Sequence, residues 1–214
     1  MKKLTHLYLA IAIVAVGTSA AYGNLLTESF EGDAFPPAGW VWEGINVQPY
    51  TWHQADNAGE GASFPTPDGD GFAIAYMAYN HLGLDEWLVS PVLNTSAADV
   101  AVGGLTLGSA QSYGWGGYDL ELWVINGDGI NDGDDQRVGS LGELWVSGPF
   151  AWVTFELSLD GLYTPGQDFR IGFRHVEFGQ ASTSALDAVY VTPEPGSLAL
   201  LGVCGLLAFA RRRR

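Results

Sequence analysis

Apolar and polar side chains alternate along several stretches of this chain. A period of two commits a segment to strand, because only an extended backbone sends successive side chains to opposite faces. Over Tyr118 to Ile125, Leu120, Leu122 and Val124 share one face, and Asp119, Glu121 and Trp123 share the other. Trp152 to Ser158 sets Val153, Phe155 and Leu157 against Thr154, Glu156 and Ser158. Phe169 to His175 sets Phe169, Ile171 and Phe173 against Arg170, Gly172 and Arg174. Shorter strand candidates lie at Leu25 to Phe30, Phe72 to Tyr79, Trp87 to Ser90, Gly103 to Leu107 and Ala185 to Val191, and no segment carries a helical stripe. The intervening Phe35 to Gly39, Phe64 to Gly71, Ser112 to Gly117, Asn126 to Gly139 and Thr164 to Asp168 are rich in Gly, Pro, Asn and Asp, and read as turns and loops. Many half-buried strands without helices imply an all-β fold, in which two antiparallel sheets cover each other's apolar faces. A jelly-roll-like β-sandwich is the leading architecture, with other sandwiches as the fallback.

The two ends of the chain follow other rules. Lys2 and Lys3 precede an apolar run from Leu7 to Val16, which closes on Gly17, Thr18, Ser19, Ala20 and Ala21. That order is a secretory signal peptide over residues 1–23, a short helix removed on export; an uncleaved anchor is the alternative. At the other end Pro193, Glu194 and Pro195 are followed by an apolar run from Leu198 to Ala210 and by Arg211, Arg212, Arg213 and Arg214. The arginines hold that terminus on the cytoplasmic side, and the run is short for a permanent spanning helix, which suits transient anchoring in the inner membrane. Triplet, apolar helix and arginine tail together resemble the PEP-CTERM sorting signal, here over residues 192–214. The resemblance implies recognition and removal of the tail by an exosortase, an integral membrane cysteine protease-transpeptidase, during delivery to the cell surface or extracellular matrix. A simple membrane anchor is the plainer alternative.

Residues 24–191 remain as one domain. Within it and the residue that follows, 23 acidic residues face only Arg137, Arg170 and Arg174, a net charge of about −20. Such a field excludes nucleic acid and anionic membrane surfaces as partners. The aromatic and aliphatic content argues against disorder. The single cysteine, Cys204, sits in the tail, so no disulfide supports the mature domain.

A series of short landmarks runs in order through this span: Glu28-Ser29-Phe30-Glu31-Gly32, Phe35-Pro36-Pro37-Ala38-Gly39-Trp40, an isolated Trp52, Asp85-Glu86-Trp87-Leu88-Val89-Ser90-Pro91, and Ile171-Gly172-Phe173-Arg174-His175 followed by Leu186-Asp187-Ala188-Val189. The set resembles choice-of-anchor J domains, related to the cleaved-adhesin modules of gingipains and more distantly to MAM domains; Ala38 is an insertion in the proline-glycine-tryptophan turn. The resemblance implies a jelly-roll sandwich on a secreted or surface protein, acting as an adhesin-like or ligand-binding module and not as an enzyme. It also implies a structural Ca2+ bridging the first and last strands, with Glu28, Glu31 and Asp187 as the residues to nominate. Ordinary strand-end acids are the alternative reading of Glu31 and Asp187.

Three other features bear on chemistry. Tyr113, Trp115 and Tyr118, set among glycines, are the best candidates for rings that stack on sugars of an extracellular polysaccharide. Trp87 and Trp152 read as packing. Asn126 to Asp135 is acidic and glycine-rich, but glycine or isoleucine interrupts the alternate oxygen ligands of an EF-hand, so it reads as a solvated hairpin loop. No HExxH pair, GxSxG elbow or ExDxE triplet occurs; Asp119 and Glu121 read as a strand's wet face. A carbohydrate-active enzyme or its carbohydrate-binding accessory module is the competing class.

Overall fold

The computed structural model describes residues 24–45, 52–56, 69–76, 85–108, 118–127, 129–130, 132–141, 152–177 and 183–193. The two expected terminal helices and the aromatic segment 109–117 lie outside the described residues. In chain order the strands are β1 (Leu26–Glu28), β2 (Val41–Ile45), β3 (His53–Asp56), β4 (Gly71–Tyr76), β5 (Asp85–Val89), β6 (Leu93–Asn94), β7 (Val100–Gly108), β8 (Tyr118–Asn126), β9 (Gln136–Ser140), β10 (Trp152–Ser158), β11 (Asp168–Glu177) and β12 (Thr183–Pro193).

They form two six-stranded sheets, antiparallel throughout. One runs β10-β7-β12-β4-β3 with β1 also on β12; the other runs β2-β5-β11-β8-β9 with β6 also on β11. Eight of the strands coincide with the alternating stretches and shorter candidates named above. The other four are β2, β3, β6 and β9, and all of β9 but Ser140 falls in the expected loop Asn126 to Gly139. Its Gln136 and Arg137 are exposed and it has little apolar face of its own; the backbone ladder of β8 draws it into the sheet.

The side-chain alternation closes a core between the sheets. Leu120, Leu122 and Val124 of β8 and Phe169, Ile171 and Phe173 of β11 meet Val100 and Val102 of β7, Phe155 of β10, and Leu186, Val189 and Val191 of β12. Phe173 sits in an aromatic cluster, its ring 6.5 Å from that of Trp40 and 6.3 Å from that of Phe155. Tyr163 stacks on Phe169 at 4.7 Å and its hydroxyl donates a hydrogen bond to the carbonyl of Ala97 at 2.9 Å, so a buried ring keeps its polar end satisfied.

Sheet β10-β7-β12-β4-β3 has one irregularity. The register of β12 on β7 shifts between Asp187 and Tyr190, and Ala188 adopts φ 47°. Gly104 lies opposite: a Cβ there would stand 3.0 Å from the carbonyl oxygen of Asp187 and 3.1 Å from that of Ala188. Only glycine lets the bulged backbone come this close. Along its opposite edge β12 pairs with β4 up to Leu186↔Ala73 and with β1 from Val189↔Glu28, so the bulge marks the point where one neighbour replaces the other.

Strand directions give the sandwich two unlike ends. At one, called distal here, β2, β4, β7, β9 and β11 finish and β3, β5, β8, β10 and β12 begin. At the other, the basal end, β1 starts beside the finish of β12, with Leu26 opposite Val191. Truncating Phe173 to alanine removes the ring at the centre of the aromatic cluster. Phe173→Ala is expected to cost about 3 to 5 kcal/mol, read as a lower urea midpoint at unchanged m-value.

Candidate functional site

Of the nominated calcium ligands, Glu28 and Asp187 lie on the paired strands β1 and β12 beside the bulge, and Glu31 lies in the connection after β1. Glu28 ends β1, directly opposite Val189, and its Oε1 accepts the N–H of Phe30 at 2.8 Å. Asp187, two residues before Val189, is fully buried, and its Oδ1 accepts the N–H of Ala188 at 2.6 Å. Glu31 reaches the start of β4, where its carboxylate oxygens accept the N–H groups of Asp70 and Gly71 at 3.1 to 3.2 Å. The carbonyl of Phe30 accepts the side-chain amide of Gln54 at 2.6 Å, tying β3 to the same corner. Among the described residues the only non-glycine residues with positive φ are Phe30 at 55° and Ala188 at 47°, and each adjoins one of these acids. Left-handed backbone costs about 1 to 3 kcal/mol per residue and persists where the surroundings enforce it. Among the described residues these acids are not drawn into one knot: no trio there that contains them has its ligand atoms within 4.8 Å of one another.

That property belongs, among the described residues, to Asp132, Asp134 and Asp135 in the β8–β9 connection. Asp135 Oδ1 accepts the N–H of Asn126 at 3.2 Å and its Oδ2 the N–H of Asp132 at 3.3 Å, while Asn126 Nδ2 donates to the carbonyl of Asp134 at 3.1 Å. The connection is thus organised by its own side chains, as Asx-rich hairpin loops are. A hydrogen bond shared with Asp134 pushes the Asp132 carboxyl above its ordinary pKa.

Two further polar clusters went unread in the sequence. On the outer face of β5, β11 and β8, Arg174 donates to Asp85 through Nε at 2.7 Å and Nη2 at 2.6 Å, and to Glu121 through Nη1 at 3.3 Å. Its guanidinium lies over the rings of Trp87 and Trp123, 5.2 and 5.7 Å from their centroids. Glu121 also takes Arg137 Nε at 2.7 Å and the indole N–H of Trp123 at 2.8 Å. Gly172 forms the floor, since a Cβ there would meet Ile125 at 2.8 Å and the Trp87 ring at 3.1 Å. Glu121 is therefore engaged in holding the sheet's outer face, and its side chain is only 13% exposed, where the sequence pattern predicts a solvated one.

The second cluster is internal. His175 continues the inward register of Phe169, Ile171 and Phe173 to the distal end of β11, opposite the buried Glu86. Its Nδ1 lies 2.9 Å from the hydroxyl of Ser184 on the facing sheet, and the ring meets Trp52 edge-on at 6.5 Å. Trp52 in turn donates its indole N–H to the carbonyl of Glu86 at 3.4 Å. Burial pulls the His175 pKa down from 6.5 to about 4. The unfolded chain therefore binds a proton that the folded one refuses between these values, and stability falls as pH drops through that window. Relative to His175→Gln, the wild-type protein should lose on the order of 3 kcal/mol between pH 6.5 and pH 4, measured by chemical denaturation across that range.

The remaining nominated residues divide between the described and undescribed parts of the chain. Tyr118 opens β8 at the distal end, whereas Tyr113 and Trp115 lie outside the described residues. Pro193 closes β12 at the basal end, and Glu194, Pro195 and Arg211 to Arg214 also lie outside them.

Comparison with solved structures finds the same fold in the K2 cleaved adhesin domain of Lys-gingipain, at 17% identity and TM-score 0.56, covering 78% of this chain and 97% of that one. The K1 cleaved adhesin domain of Lys-gingipain from Porphyromonas gingivalis W83 matches at 16% identity and TM-score 0.51, over 79% and 98% of the two chains. TmCBM61, solved in complex with beta-1,4-galactotriose, matches at 17% identity and TM-score 0.53, over 80% and 99%. The likeness shows a shared all-β sandwich. No curated protein matches the sequence. Residues 191–214 match the PEP-CTERM protein-sorting motif, so the chain is an exported, cell-surface protein that carries the signal for exosortase processing.

Proposed function

We propose that residues 24–191 act outside the cell as a non-catalytic, adhesin-like module that binds extracellular polysaccharide, with 1–23 as its signal peptide and 192–214 as a tail that anchors transiently in the inner membrane through 198–210. The observation that carries this reading is the polarity of the sandwich. β12 finishes at the basal end, within the sorting motif, while β7 finishes and β8 begins at the distal end, with Tyr113 and Trp115 between those two strands in the sequence. A domain tethered by its sorted end therefore directs the finish of β7 and the start of β8 away from the membrane. Ring stacking on pyranose faces, with nearby hydroxyl and amide groups such as Ser112 and Gln111, is the chemistry such a segment offers. The fold shared with TmCBM61 favours, as the second reading, a carbohydrate-binding accessory module. Selective retention of glycans by the purified domain on an array, abolished by Trp115→Ala with the fold intact by circular dichroism, is the expected result. Release of sugar from any of those glycans would overturn the non-catalytic reading.

Calcium at the β1–β4–β12 corner forms part of the same proposal. Hard cations take carboxylate and carbonyl oxygens, and Glu28, Glu31 and Asp187 supply carboxylates there, beside the strained Phe30 and Ala188. Binding to the folded state alone stabilises it by mass action. Adding calcium should raise the melting temperature and EGTA lower it, and Asp187→Asn should abolish the difference. A melting temperature indifferent to both additions would remove the metal.

A further inference from the structure

We infer that the sorting motif begins inside the folded domain, so that its first proline is readable by the exosortase only after the end of β12 has left the sheet. The inference rests on the processing that the motif signals. The match starts at Val191, whereas β12 runs on to Pro193, so three residues belong to both.

Val191 is fully buried, flanked by Leu26 of β1 on one side and Val102 of β7 on the other, and its carbonyl accepts the N–H of Leu25 at 2.7 Å. Thr192 and Pro193 continue along β7, opposite Ala101 and Val100, and Pro193 is itself buried. Enzymes that read a segment in extended form need its backbone edge and its side chains for their own groove. Here the backbone of residues 191–193 is already committed to the sheet.

The arrangement makes opening local. The β1 register on β12 ends at Leu26↔Val191, so Thr192 and Pro193 have β7 as their one registered neighbour among the described residues. Pro193 has no N–H to add to that ladder. A strand end of this kind opens at far lower free energy than the domain unfolds. When opening and closing are fast, processing follows the open population. The folded β1–β7–β12 corner therefore sets how often the triplet is presented, whereas an unfolded chain presents it continuously.

The test uses the full chain, co-expressed with an exosortase, with tail loss followed by pulse-chase and mass. In a Cys204→Ser background, Ala101→Cys with Thr192→Cys joins two direct register partners and pins the end of β12 to β7. The oxidised pair should slow tail removal by roughly tenfold or more, and a reductant should restore it. Inserting Gly-Ser-Gly-Ser between Thr192 and Pro193 frees the triplet and leaves β12 paired as far as Thr192, and should speed removal severalfold. Equal rates for the oxidised and reduced pair, with no acceleration by the spacer, would overturn the inference. A wild-type chain left uncut while another PEP-CTERM substrate is processed would overturn the sorting assignment and this inference with it.

Discussion

The pairing of β12 with three other strands is the constraint on which its whole sheet depends. β1, β4 and β7 pair with it directly, β3 joins through β4, and β10 through β7. These partners come from near the beginning, the middle and the end of the domain, so the sheet closes only when the last strand arrives. Its inward Leu186, Val189 and Val191 then cover the facing sheet. The bulge at Asp187–Tyr190 is what lets a single edge serve both β4 and β1, and Gly104 is the residue across the ladder that makes room for it.

Around this frame the protein places its charged and polar groups in two opposite ways. On the outer face, Arg174 is spread over two indoles and answered by two carboxylates, so a cation in a strongly acidic domain is matched in charge and shielded by rings. At the distal end of the core, Glu86, His175 and Ser184 occupy inward positions that an aliphatic side chain would fill without desolvation cost. His175 remains neutral there because burial disfavours its charged form, and the hydroxyl of Ser184 on the other sheet supplies a partner across the interface. A polar contact of this kind ties the two sheets together at one height, which apolar packing does only loosely.

What the sequence revealed follows from where each strand sits. β8 and β11 lie inside their sheet with one apolar face each, and their alternation is plain; the same register carried one step on puts His175 inside. The longer strands that were missed, β2, β3 and β9, are all sheet edges, where a neighbour's ladder and not an amphipathic pattern makes the strand. The Arg174 cluster was unreadable for another reason. Asp85, Glu121 and Arg174 stand far apart in the chain, and only the order β5-β11-β8 brings them together. Of the nominated acids, the adjacency of Glu28 to the Asp187 bulge follows from pairing first strand with last, while Glu31 turning to the N–H groups of Asp70 and Gly71 depends on a β4 start that alternation alone does not locate.

The basal exit of β12 also has a mechanical meaning. In antiparallel sheets the inter-strand hydrogen bonds lie perpendicular to the strands. If, as proposed, the module binds at its distal end and is held by its sorted end, a pull between the two runs along the axis of β12, so its bonds to β7 share the load in shear instead of parting one after another. The same ladder that yields easily at its tip to a thermal fluctuation thus resists drag applied along its length, which is the direction that flow imposes on a protein held at the cell surface.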